Sequence, residues 1–247
     1  MKIRQIIILG QIIIIALLVN ACSPKLKISK NPVHKMKWLD KIEQLQIAVE
    51  TKFNTKRLQS ELLGPATAIE IENVEEKLNQ KIPADLKHFF LTESKGAYMN
   101  WSIPEEYKMP NQIEYIDGGG IEMGLDLLVD MNNHYKENID GFYADPNDSY
   151  NRTLHNKFVI HTTWTGDFIA IDLNEPSYGK VLYLSHNDSP GHNYILGGSF
   201  KEFINRWTEL GFVGPRGGDL LYFLSNKLDG LNTNSENAIL LKGLITI

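Results

Sequence analysis

Cysteine is almost absent from this chain of 247 residues, in which Cys22 is the only one. One cysteine cannot form a disulfide within the chain, so the fold has to be held together by its hydrophobic core. A lone exposed thiol is also a liability in an oxidising compartment. If the chain is exported, we therefore expect Cys22 to be chemically modified.

Positive charge is scarce as well. With Lys2 and Arg4 set aside, residues 22–247 contain 23 Lys and Arg against 30 Asp and Glu, a net charge of about −7. This acidic excess argues against nucleic acid as a partner, because domains that bind nucleic acid usually carry a basic patch. It also disfavours adsorption to anionic lipid through charge alone. An acidic surface would suit a basic protein partner.

Motifs for catalysis and for metal binding are missing too. The chain has no Gly-x-Ser-x-Gly nucleophile elbow and no His-x-x-x-His pair. His186 and His192 could meet across a turn, but no cysteine is available to complete a metal site with them. Gly118–Gly120 lacks the Lys and Ser/Thr of a phosphate loop and predicts a flexible turn instead. We therefore expect no catalytic residue, no metal and no cofactor.

The N-terminus holds a short apolar run. Lys2 and Arg4 precede Ile6–Val19, which is nearly all apolar. As a helix this run would span only about 21 Å, short of a hydrocarbon core of about 30 Å. A basic start, a short apolar core and a small residue, Ala21, before the cut describe a signal peptide over residues 1–21.

Val19–Cys22 resembles a bacterial lipobox, in which the cysteine is acylated and the preceding bond is cut. Cys22 is accordingly predicted to be the lipid attachment site that holds the protein to a membrane. Ser23 does not resemble the aspartate that retains lipoproteins in the inner membrane, which favours the outer membrane, facing the periplasm. Two alternatives stay open: an uncleaved transmembrane anchor, and ordinary cleavage that leaves a free thiol.

The rest of the chain predicts an α+β fold. Residues 22–65 read as a polar tether followed by an amphipathic helix over Lys37–Leu63. Capping-box spacing at Thr67 and Glu70, and again at Ser199 and Glu202, predicts two further helix starts. Short β-type stretches lie between them, at Tyr98–Ile103, Ile113–Ile116, Phe158–Thr163, Phe168–Leu173 and Lys180–Ser185. We expect N-terminal helices, a central mainly antiparallel sheet and a closing C-terminal helix.

This region resembles the SUKH (Smi–Knr) superfamily. The positions that match its entry motif are Ile71, Val74-Glu75, Leu78, Ile82-Pro83, Phe89-Phe90 and Gly96. Gly166–Asp172 is similar to the central hairpin of the family, Val181–His186 to its next strand and Ser199–Phe203 to its closing helix. The resemblance covers about residues 66–211 and leaves residues 212–247 as a C-terminal extension.

The resemblance implies protein binding rather than catalysis. The superfamily includes bacterial immunity proteins, which bind and neutralise a cognate toxin, and fungal proteins linked to cell-wall synthesis. The leading hypothesis is therefore a membrane-anchored, non-enzymatic immunity-type protein whose partner is a toxin. The alternatives are an envelope scaffold or regulator linked to cell-wall synthesis, and a hydrolase with an unrecognised site. Fold alone does not decide among them.

Two tryptophans near strand ends are candidates for partner binding. Trp101 and Trp164 would be interface anchors if they are exposed, since tryptophan is enriched among binding hot spots. Burial in the core of the domain is the competing interpretation. Glu105, Glu106 and Asp167 are close to them in sequence and complete the predicted surface.

Overall fold

The computed structural model describes residues 37–53, 60–214, 216 and 218–245. The signal peptide predicted over residues 1–21, Cys22 and the tether up to residue 36 lie outside these residues. Among the helices in the described ranges, none is both long and apolar enough to cross a membrane.

The described ranges contain seven α-helices and seven strands. The helices are α1 (Trp38–Phe53), α2 (Ala68–Leu78), α3 (Ala84–Thr92), α4 (Leu128–Phe142), α5 (Ser149–Leu154), α6 (Phe200–Glu209) and α7 (Glu236–Ile245). The strands are β1 (Ser60–Leu63), β2 (Gly96–Ser102), β3 (Gly118–Gly124), β4 (Lys157–Thr162), β5 (Phe168–Asp172), β6 (Val181–Leu184) and β7 (Tyr194–Gly197). Two short 3-10 helices are Asn111–Ile113 and Gly218–Phe223.

The strands form two antiparallel sheets. The first contains β1, β2 and β3 in that order, and the second contains β4 to β7, also in chain order. The predicted α+β class, with N-terminal helices and a C-terminal helix, is confirmed. The sequence predicts one central sheet, whereas the structure has two.

Helix α4 explains why the two sheets do not join at the edge of β4. The buried Asn132 of α4 donates from its side-chain amide to the Val159 carbonyl and accepts from the Val159 N–H, both at 2.9 Å. These are backbone groups that a neighbouring strand would otherwise use. The side chain of Asn132 thus closes the edge of β4.

The capping box predicted at Thr67 is confirmed, and at Ser199 the predicted helix start and the hydroxyl cap are confirmed. The Thr67 hydroxyl accepts from the Glu70 N–H at 3.2 Å, and the Glu70 carboxylate accepts from the Thr67 N–H at 2.8 Å. The Ser199 hydroxyl accepts from the Glu202 N–H at the start of α6, but the Glu202 carboxylate accepts from the Gly198 N–H, one residue before the cap. Both caps satisfy backbone donors that have no partner inside the helix.

The amphipathic helix predicted over Lys37–Leu63 is confirmed over Trp38–Phe53, but its extension to Leu63 is wrong. The predictions of a turn at Gly118–Gly120 and of a strand at Ile113–Ile116 are also wrong. The helix ends at Phe53, and Ser60–Leu63 is strand β1, paired with Gly96–Met99. The 3-10 helix Asn111–Ile113 occupies the start of the third predicted segment.

Gly118–Gly120 belongs to strand β3 instead of a turn. A Cβ atom on Gly118 would lie 2.1 Å from the carbonyl oxygen of Trp101, so the close approach of β2 requires glycine at this position.

The first helix and the C-terminal segment pack into the same hydrophobic core as residues 66–211. Ile42 and Leu45 of α1 are fully buried in one cluster with Leu241 and Ile245 of α7. The indole N–H of Trp38 donates to the Thr208 hydroxyl of α6 at 2.9 Å. The predicted amphipathic helix and extension are therefore integral parts of the domain that the structure describes.

Candidate functional site

The residues predicted to bind a partner fall into separate environments. Trp101 is only 4% exposed, so the prediction that it anchors a partner is wrong and the core interpretation is correct. Its indole N–H donates to the Gly211 carbonyl at 2.6 Å, and its ring stacks on Phe53. Trp101 lies on the inner face of β2 with other core residues, which explains its burial.

Trp164 is exposed over 60% of its surface and lies in the turn between β4 and β5. The turn is firmly held, because Gly166 N–H donates to the Thr163 carbonyl at 3.0 Å and Thr163 N–H donates to the Asp167 carbonyl at 2.8 Å. Gly166 has φ +88°, a conformation that favours glycine. The ring of Trp164 is thus presented to solvent on an ordered backbone.

Asp167 stabilises this turn, and its carboxylate is buried rather than exposed to a partner. It is only 5% exposed, and it accepts hydrogen bonds from the Tyr183 hydroxyl, from the His186 N–H at 3.0 Å and from Thr165. Its Oδ1 also lies 2.8 Å from the His186 Nδ1. Burial alone would raise the pKa of Asp167, but the hydrogen bonds from Tyr183 and His186 outweigh it and hold the pKa below its usual value. The predicted role of Asp167 as a contact residue is therefore wrong, and its role is positioning.

A second charged cluster adjoins the same turn. The Thr165 hydroxyl donates to the Arg216 carbonyl at 3.2 Å, and the Arg216 guanidinium forms an exposed ion pair with Asp117 at 2.5 Å. Asp219 is 8% exposed, and its Oδ2 has no hydrogen-bond partner among the described residues. Burial, together with the nearby charge of Asp117, raises the pKa of Asp219 to about 6. The Trp164 turn is thus bonded to Arg216, which in turn pairs with Asp117.

Glu105 and Glu106 are exposed in the loop after β2. The Ile103 N–H donates to the Asp117 carbonyl at 2.7 Å, so this loop leaves the sheet close to Asp117. Within residues 60–214, neither glutamate forms a hydrogen bond or an ion pair with the Trp164 turn. Their place in a common surface with Trp164 stays a prediction.

Sequence reasoning missed Asp117, Arg216 and Asp219. Asp117 and Arg216 are 99 positions apart in the chain, so no local spacing connects them. The only local sequence signal for these two carboxylates is the glycines that follow Asp117 and precede Asp219, because glycines indicate turns or close backbone contacts nearby.

The histidines of the described ranges lie in separate environments. Among the described residues, no group of three or more His, Cys, Asp or Glu side chains could hold a metal ion. His161 is fully buried against Trp207, and His192 contacts Thr153. His186 is oriented by Asp167, as in catalytic His-Asp pairs, but in the described residues no hydroxyl or thiol is bonded to its Nε2.

The comparison with protein families gives a match over residues 65–206, more than half of the chain. The matching model is that of the SMI1/KNR4 family (SUKH-1). A search of curated proteins found no match. The matched region begins just before the capping box of α2, includes the Trp164 turn and ends within α6. The chain therefore belongs to the SMI1/KNR4 family (SUKH-1).

Proposed function

We propose that this chain is a membrane-anchored, non-enzymatic protein of the immunity type, which binds and neutralises a toxin through the surface around Trp164. The family includes immunity proteins, and its domains are generally non-catalytic binding proteins. Acylated Cys22 would hold the domain to the outer membrane, facing the periplasm. That position would let it intercept a toxin at the envelope.

The observation that carries this proposal is the exposed ring of Trp164 on an ordered turn. A large aromatic side chain in water gains free energy when a partner covers it. Because the backbone is already fixed by Asp167 and Thr163, little conformational entropy is lost on binding. Arg216 and Asp117 form a polar rim of the kind that surrounds hot spots.

The test begins with capture of the partner. The full chain carries a C-terminal tag, is crosslinked in cells, and its partner is identified by mass spectrometry and purified. Trp164→Ala is then expected to weaken the affinity for that partner by a factor of about 30, because hot-spot truncations cost about 2 kcal/mol or more. Phe142→Ala removes an aromatic ring that is 78% exposed on α4, and serves as the matched control.

Three results would contradict the proposal. Equal effects of the two variants would exclude the Trp164 surface. Wall-synthesis enzymes as the stoichiometric partner would support the envelope scaffold instead of the immunity protein. A deletion strain that is no more sensitive to any toxin encoded nearby would exclude neutralisation as the role.

A further inference from the structure

The outer face of the three-stranded sheet is a second candidate surface for binding a partner. Alternate residues of β2 point inward, and Ala97, Met99 and Trp101 are buried. Tyr98 and Asn100 point to the opposite face, where Asn100 is exposed. This outer face is polar, so the side chains of Tyr98 and Asn100 do not need a helix of the described ranges to bury them.

Carboxylates flank Tyr98 on both sides. The strand register places Glu61 of β1 and Glu122 of β3 directly opposite Tyr98, so the three side chains form a row across the sheet. Both glutamates are exposed. The Tyr98 hydroxyl donates to Asp126 at 2.6 Å, which brings a third carboxylate to the row.

Glycines make this face concave. A Cβ atom on Gly120 would lie 2.2 Å from the Asn100 side-chain oxygen, and one on Gly124 would lie 2.0 Å from the Tyr98 hydroxyl. The side chains of Tyr98 and Asn100 therefore lie across β3, in space that only glycine leaves open. The result is a recess of about 470 Å³, lined by Ser60, Glu61, Tyr98, Met99, Asn100 and Glu122.

Among the described residues, no cationic side chain is paired with the carboxylates of this face. In the described part of the chain, none of the ion pairs includes Glu61, Glu122 or Asp126. Burial and the hydrogen bond to Asp126, followed by the charges of Asp126, Glu61 and Glu122, raise the pKa of the Tyr98 hydroxyl far above its usual value. The carboxylates thus act together on one ring, as they would act on a cation placed there.

The acidic surface continues around strand β1. A second recess of about 510 Å³ lies between α1 and β1, and its lining includes Glu43, Glu50, Ile47 and Leu62. Ser60 lines both recesses. β1 is the end strand of its sheet, so an extended segment that crosses it would meet carboxylates on both sides.

We propose that this face binds an extended protein segment that carries Lys or Arg, with one cationic head group between Glu61 and Glu122 and its aliphatic stem on the Tyr98 ring. Charge complementarity argues for this occupant, and an aromatic ring beside carboxylates suits a cation with an apolar stem. A bare metal ion fits less well, because no group of three metal-ligating side chains exists among the described residues. The inference rests on the proposed function in taking the natural occupant to be a protein.

The test uses a short fluorescent peptide of alternating Lys and Ser and the full chain purified in non-ionic detergent. Fluorescence anisotropy at low salt measures the affinity. The double variant E61Q/E122Q is expected to bind the peptide about tenfold more weakly, because two charge pairs are lost. The control E137Q/D140N removes the same charge from exposed positions of α4 and is expected to change the affinity less than about twofold.

Zero-length crosslinking of the bound peptide maps the contact directly. Amide bonds between peptide lysines and protein carboxylates are expected mainly at Glu61 and Glu122. Equal weakening by both double variants, adducts spread evenly over the acidic surface, or no binding at low salt would each overturn the inference. These outcomes are separate from the Trp164→Ala test, which uses the natural partner.

Discussion

Lowering the pH is expected to destabilise the fold through one side chain, His161. Its ring is buried against Trp207, its Nδ1 lies 3.3 Å from the Glu122 carbonyl, and its Nε2 has no partner among the described residues. Burial lowers the pKa of His161 from 6.5 to about 4. The unfolded chain therefore binds a proton below pH about 6.5 that the folded chain does not bind until pH about 4. The resulting stability is present above pH 6.5 and is lost as the pH falls towards 4.

The size of this effect follows from the two pKa values. Between pH of about 7.5 and pH of about 5, the unfolded state gains about 2 kcal/mol relative to the folded state through this histidine alone. Asp219 works in the opposite direction, because its pKa of about 6 is raised by burial. The contribution of His161 is therefore isolated by comparing a variant with the natural chain at both pH values.

Urea unfolding of the natural chain and of His161→Leu at the two pH values measures this difference. The loss of stability on acidification is expected to be about 2 kcal/mol smaller in the variant. His88→Leu makes the same chemical change at an exposed position of α3 and is the control. The same pH dependence in all three proteins would refute the reasoning, because it would mean that His161 takes up its proton equally well in both states.

Two further predictions concern buried charges. Asp219→Asn is expected to raise the free energy of unfolding by about 3 kcal/mol at pH 8 and to change it little near pH 4. The buried carboxyl group destabilises the folded state progressively as the pH rises from about 4 to about 6, because the unfolded chain releases this proton first. Urea unfolding checks this, and a loss of stability at pH 8 would contradict it. Lys157→Met is expected to cost about 3 kcal/mol in a thermal or urea unfolding assay, because it leaves Asp172 buried without the ion pair at 3.0 Å. The exposed pair of Arg216 and Asp117 provides the comparison, since Arg216→Met should cost less than about 1 kcal/mol.

Local patterns predicted those parts of the fold that local forces determine. The caps at Thr67 and Ser199 involve residues three positions apart, so their spacing is visible in the sequence. Strand β1 depends on pairing with β2, more than 30 positions away, and its residues continue the apolar spacing of α1. The glycines of β3 similarly reflect the close approach of Trp101, which no pattern within β3 records.

The candidate site was predictable only in part for the same reason. Trp101 and Trp164 occupy similar positions near strand ends. Only their surroundings in the folded protein make one buried and the other exposed. The indole N–H of Trp101 donates a hydrogen bond to the carbonyl of Gly211, which is more than 100 positions away in the chain. Trp164 is exposed and does not pack into the core. The sequence singles out Asp167 but does not predict that it positions the turn. The groups that bury it, Tyr183 and His186, come from the next strand and the loop after it.

The contact between α1 and α7 has a consequence for biosynthesis. The core contains Ile42 and Leu45 from the first described helix and Leu241 and Ile245 from the last, so it cannot close until residue 245 has left the ribosome. Contacts across so many residues form late, because the entropy of the long intervening chain has to be overcome first. During synthesis the larger hydrophobic core therefore stays incomplete until the last helix has emerged, whereas the smaller cluster that contains Tyr135 and Phe168 does not depend on either terminal helix.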